Sequence, residues 1–217
     1  MNLPRFKPRD GWHYGDPDYY GELLWVPFEC KTESHSEAAH LVAFTPDLTS
    51  VVRDVTLGDY DAAWVAWNAM DGTVYMSSFD PVSEVRQYAF LTNPVQRLVL
   101  LRSIPLVTST GASHPLRRVQ GGAFSPNGHL YLSSDDKDDP SLSGVYGVDV
   151  ESGTIHMHVA FEYHPGSIGD EIEGIDVNPS WPMYPGTQIH LSMVNYEVGA
   201  NDTIYLKHFA ISDTTKL

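Results

Sequence analysis

One phrase recurs along this 217-residue chain, and it limits the fold more than any other feature. Its clearest copy, VQGGAFSPNGHLYLSSD from Val119 to Asp135, is a short apolar strand, a turn at Pro126-Asn127-Gly128, then an alternating strand. A second copy, AAWVAWNAMDGTVYMSSF from Ala62 to Phe79, turns at Asp71-Gly72. Looser copies run from His13 to Glu29 and from Glu171 to Asn195, the latter with a turn swollen by the stretch Pro179 to Gly186. Asn-Gly and Asp-Gly between alternating strands mark hairpins, because these residues accept the positive φ angles of a tight turn. A hairpin returning about every 50 residues is the signature of a radial all-β array.

Between these hairpins lie further strand pairs: residues 40–44 with 50–57, 85–90 with 97–104, and 144–150 with 154–160. Thr203–Ile211 follows the last hairpin without a clear partner after it. Each unit therefore reads as two apolar inner strands and two half-solvated outer ones, the strand count of one propeller blade. The expectation is a single all-β domain over residues 1–217, a β-propeller with about four recognisable four-stranded antiparallel blades. Two closures fit the pattern. Either Leu3–Arg9 supplies the missing outer strand of a four-bladed ring, or the chain is a segment of a larger propeller of about five to seven blades. Pro4 and Pro8 suit only an edge strand, which weighs against the first. ESHSEAA, from Glu33 to Ala39, predicts a helical turn, and the polar stretches Ser109–Ser113 and Asp135–Pro140 predict loops.

Charge and composition narrow the partners. A net charge of −15 repels phosphate backbones and anionic membranes, so neither nucleic acid nor membrane is expected. The single cysteine, Cys30, precludes an internal disulfide, and residues 1–10 carry no apolar signal region. A cytoplasmic location follows as the simplest reading, with secretion as the alternative and a homo-oligomer among the expected states. Asn201-Asp202-Thr203 is a glycosylation sequon that has meaning only in a secretory setting. There is no Gly-x-Ser-x-Gly elbow and no glycine-rich phosphate loop before a helix, so neither triad hydrolysis nor that mode of nucleotide binding has an anchor.

The string FSPNGHLYLSSDD followed by GVYGVDVESGTI, within Phe124–Ile155, resembles the repeat of the six-bladed propeller superfamily. That superfamily includes calcium-dependent lactonases and phosphotriesterases, lipoprotein-receptor-type propellers and NHL repeats. His13–Tyr20, Gln120-Gly121-Gly122 and Glu171–Asp176 are similar to strand starts in uncharacterised bacterial and fungal propeller proteins. The resemblance implies an axial divalent-cation site with Glu173 of the Glu173-Gly174 step as a ligand and Asp16 and Gln120 at comparable positions. Asp18 and Glu171 extend this candidate metal set, and His13 stands beside it as a candidate ligand-binding residue. The second blade offers Trp64 where a ligand would stand. Ca²⁺, which takes six to eight oxygens, is the implied cofactor. The alternative use of these polar groups is to cap strand ends or to hydrogen-bond neighbouring blades.

Three functions follow as expectations. The first is a binding or scaffold module with a small ligand, protein or divalent cation at the channel mouth. The second is a metal-dependent hydrolase of the lactonase or phosphotriesterase type. The third is a lectin-like sugar binder using Trp64 as a stacking platform. His156 and His158 are expected on an exposed strand face, and His190 and His208 in blade packing.

Overall fold

Four antiparallel sheets stand in a ring, each built from one recurrence of the hairpin phrase and the strand pair that follows it. The computed structural model describes residues 12–30, 39–58, 60–93, 95–161, 170–178, 187–195 and 203–211. The first blade holds β1 (Trp12–Tyr14), β2 (Asp18–Tyr20), β3 (Leu23–Cys30), β4 (Ala39–Phe44) and β5 (Val51–Gly58). The second holds β6 (Ala66–Asn68), β7 (Thr73–Met76), β8 (Glu84–Leu91) and β9 (Arg97–Pro105). The third holds β10 (Val119–Phe124), β11 (Leu130–Ser134), β12 (Gly144–Val148) and β13 (Ile155–Ala160). The fourth holds β14 (Asp170–Asn178), β15 (Thr187–Asn195) and β16 (Thr203–Ile211), and among the described residues it has no fourth strand. The arrangement is a four-bladed β-propeller.

Local chemistry explains the hairpins. Tyr20 pairs with Leu23 across Gly21 and Glu22, whose φ angles of 60° and 63° make the type I′ turn that matches strand twist. Asp71 Oδ1 accepts the Thr73 amide at 2.8 Å, which closes the turn that the Asp-Gly pair predicts. In the third blade the Gly128 amide donates to the Ser125 carbonyl at 2.9 Å with φ at 84°. β1 and β2 are halves of one inner strand, since both pair with β3. Tyr14 faces Phe28 and Asp18 faces Trp25, so the stretch Gly15-Asp16-Pro17 bulges with one residue more than its partner.

Some expectations shift. Ala39 begins β4 rather than ending a helical turn, and residues 31–38 lie outside the described residues, as do Leu3–Arg9. The acidic run is a built turn and not a plain loop. Asp136 Oδ1 accepts the amides of Asp138 and Asp139 at 3.0 Å each, and Asp139 caps a short 3-10 turn over Pro140–Leu142. Asp135 within it is fully buried and pairs with Lys137 at 2.9 Å.

Apolar side chains fill three of the four seams between blades. Trp25, Leu41 and Ala43 pack on Val65, Trp67, Val74 and Met76 between the first and second blades. Trp64, Tyr75 and Val85 meet Val119, Leu130, Leu132 and Tyr146 between the second and third. Tyr131, Val145 and Phe161 meet Ile172, Ile189, Leu191 and Met193 between the third and fourth. Among the described residues no such cluster joins the fourth blade to the first. The remaining cluster, Val26, Phe28, Val42 and Phe44, draws on the first blade alone.

Candidate functional site

Asp16 sits where the inner strands of all four blades converge. The bulge that carries it turns its backbone out of the first sheet and onto the second blade. Its amide donates to the Ala63 carbonyl at 3.0 Å, and its carbonyl accepts the Val65 amide at 3.1 Å. Its carboxylate Oδ2 accepts the Ile175 amide of the fourth blade at 3.1 Å. The carboxylate also takes the Gly122 amide of the third blade. One side chain and its peptide thus tie one blade to the other three. Burial pushes this carboxyl well above the ordinary aspartate value of 3.8, and repulsion from Asp18 and Asp176 adds to the shift against the two lowering amides.

The glycines of the strand starts make room for this convergence. A Cβ on Gly174 would lie 2.4 Å from Asp16 Oδ1, and one on Gly121 would lie 2.9 Å from Asp16 Oδ2. In the Glu173-Gly174 step it is therefore the glycine that meets the axial carboxylate. Glu173 itself occupies a bulge between Ile172 and Gly174, which takes it out of the strand's alternation. Glu171, opposite Val194, lies earlier on the same strand. Gln120 donates its side-chain amide to the Ile172 carbonyl at 2.8 Å and so acts as an inter-blade hydrogen bond. His13 lies on β1 with Nδ1 3.4 Å from Glu29 Oε2. Trp64 is 0% exposed and donates its indole N–H to Ser77 Oγ at 2.7 Å, so it has no face for a sugar ring.

A cavity of about 570 Å³ opens beside Asp16, lined by residues of all four blades. Asp16, Asp18, Tyr20 and Leu24 line it from the first blade, and Asp176, His190, Ser192 and Leu206 from the fourth. The β10–β11 turn closes one end with Phe124–Pro126, and Trp67 forms part of the wall. Of the seven residues predicted as a site, the structure brings Asp16 and Asp18 together in this cavity. Gln120, Glu171, Glu173, His13 and Trp64 do not line it.

Asp18 is held rigidly. Its Oδ2 accepts the Trp67 amide at 2.6 Å and its Oδ1 the Tyr19 amide at 2.7 Å. Burial raises its pKa, and repulsion from Asp176 adds to that against these two amides. Tyr20 and Trp67 stack with centroids 4.5 Å apart and planes 3° from parallel. Trp67 is 6% exposed, and its indole nitrogen is buried without a hydrogen-bond partner. His190 Nε2 is in the same position, while its Nδ1 lies 3.9 Å from Asp176 Oδ2. Asp176, His190 and Tyr20 escape sequence reasoning. The available signal was the alternation of β14, which sets Gly174 and Asp176 on one face and Ile175 and Val177 on the other.

The donor set does not fit calcium. Asp16 and Asp18 each spend their oxygens on two backbone amides, and Gln120 turns its amide nitrogen to a carbonyl. Among the described residues no group of three or more His, Cys, Asp or Glu side chains is disposed to hold a metal ion. A Ca²⁺ cage needs six to eight converging oxygens.

The raised carboxyls have a consequence for stability. Between 3.8 and its raised folded-state value, Asp16 holds its proton in the folded chain where the unfolded chain has released it. Its contribution to stability therefore rises as pH falls from neutrality and is lost as pH rises through the folded value. Asp16→Asn removes that dependence. In urea unfolding, the stability of the wild type relative to this variant should increase between about pH 7 and about pH 5. A difference that stays constant would contradict the burial of this charge.

Compared with known family models and with curated proteins, the chain matches none. Its class therefore rests on its architecture: a four-bladed propeller, the kind of ring that serves as a binding or scaffold module. Among the described residues no helix is long and apolar enough to cross a membrane.

Proposed function

We propose that this protein is a binding module that takes a small ligand in the cavity beside Asp16, which all four blades line. One observation carries the reading. The cavity, at about 570 Å³, falls within the roughly 300–1,000 Å³ of small-molecule sites, and its wall sets Asp16, Asp18 and Asp176 beside apolar side chains. Asp18, locked by two backbone amides, is a preorganised acceptor, and Leu24 and Leu206 supply apolar contact.

The scaffold alternative needs no cavity and predicts no small-molecule response. A fragment screen by ¹⁹F NMR on 5-fluorotryptophan-labelled protein separates the two, with the Trp67 resonance assigned through Trp67→Phe. Ligands are expected to shift the Trp67 signal in the wild type and to lose affinity at least tenfold in Leu206→Trp, where an indole replaces a cavity-lining leucine that is 67% exposed. The reading fails if no fragment moves the Trp67 resonance, or if the hits bind Leu206→Trp equally well.

A further inference from the structure

The cavity's charge is one-sided. Asp16 and Asp18 reach it from the first blade and Asp176 from the fourth, and no lysine or arginine lines it among the described residues. His190 Nδ1 lies 3.9 Å from Asp176 Oδ2. The three carboxylates repel one another: Asp18 and Asp176 both act on Asp16, and Asp176 acts on Asp18. Backbone amides offset part of this field at Asp16 and Asp18, but the exposed Asp176 has no such amide bond among those described. A cation entering here relieves all three at once.

The remaining wall gives the cation a body. Tyr20 and Trp67 form a parallel ring pair, and Leu24, Ala123, Ile175 and Leu206 add apolar surface. A bare metal ion has no use for rings and leucines and lacks a converging oxygen cage. An organic ammonium uses both halves, its charge against the carboxylates and its body against the aromatic and aliphatic wall.

Resting on the binding-module reading, we infer that the ligand class is a small organic amine, monocationic, with an aromatic or apolar body. It bridges Asp18 of the first blade and Asp176 of the fourth across the cavity that all four blades line.

Three probes that share one skeleton test the charge: tyramine (cation), tyrosol (neutral) and 4-hydroxyphenylacetate (anion), each titrated into full-length protein with the Trp67 ¹⁹F signal as readout. Tyramine is expected to bind at least tenfold tighter than tyrosol, and 4-hydroxyphenylacetate more weakly than either. Added salt should weaken tyramine and leave tyrosol unchanged. Asp18→Asn should bring the tyramine-to-tyrosol ratio close to one. Asp176→Asn, on an exposed side chain, should reduce that ratio several-fold with the unfolding midpoint unchanged, which guards against a folding defect at Asp18. Equal affinity for tyramine and tyrosol overturns the amine assignment and leaves the cavity reading standing. A Trp67 response to calcium chloride that tyramine does not match overturns it in favour of a metal. If none of the three probes binds while neutral fragments from the screen do, the amine assignment falls alone; if no compound moves Trp67, the cavity reading falls with it.

Discussion

Replacing Trp64 with alanine is expected to cost about 3–5 kcal/mol of folding stability, as truncation of a fully buried aromatic does. The indole is 0% exposed and lies between the inner strands of the second and third blades, and its N–H donates to Ser77 Oγ at 2.7 Å. Truncation therefore empties a large volume and removes one of the two hydrogen bonds of the buried Ser77 hydroxyl, which still donates to the Ser78 carbonyl. In a chain of this size the thermal midpoint should fall by roughly 10 °C or more. The same contact can be stressed from the other side. A Cβ on Gly122 would lie 2.3 Å from the Trp64 ring, so Gly122→Ala should overpack the seam by about 1–3 kcal/mol. In a Trp64→Phe background the smaller ring should relieve part of that cost, which makes the pair non-additive. Strict additivity would show that the two residues do not meet.

Asp16→Ala is the second large effect. Truncation leaves the amides of Ile175 and Gly122 without their acceptor, at about 1–3 kcal/mol for each buried donor. Removal of a desolvated carboxylate offsets part of this, so a net loss of about 2–4 kcal/mol is expected near neutral pH. Asp16→Asn keeps one acceptor oxygen and should lose less. The Asp16 backbone bonds to Ala63 and Val65 survive both changes, which isolates the carboxylate's share. Urea unfolding of the two variants side by side decides the matter: alanine and asparagine within about 0.5 kcal/mol of each other would remove the carboxylate from the list of things that hold the ring.

Much of the fold was legible in the strands themselves. Thr203–Ile211 reads as one strand in the sequence and is β16 with the same bounds. Asp71-Gly72 and Asn127-Gly128 stand at the turns they predict, with φ of 69° at Gly72 and 84° at Gly128. The site was legible only in fragments. Asp16 and Asp18 belong to the cavity, but Glu173, which the Glu-Gly step singles out, lies in a β-bulge, and a bulge shifts every later side chain without leaving a pattern in composition. Gly121, Gly122 and Gly174 read as features of strand starts, whereas each marks a place where a neighbouring side chain occupies the space of its missing Cβ.

Alternation and turn chemistry act over a few residues, so the chain alone determines its hairpins, their order and their grouping into four blades. Which residues meet at the axis is settled elsewhere. The bond from the Ile175 amide to Asp16 spans 159 positions, and the cavity joins the first blade to the last. Contacts of that separation depend on the angle at which blades pack and on two bulges, at Gly15–Pro17 and at Glu173. Only the packed ring brings Asp18, Asp176 and Trp67 to one cavity, because blade geometry, and no local pattern, decides which inner-strand faces confront each other.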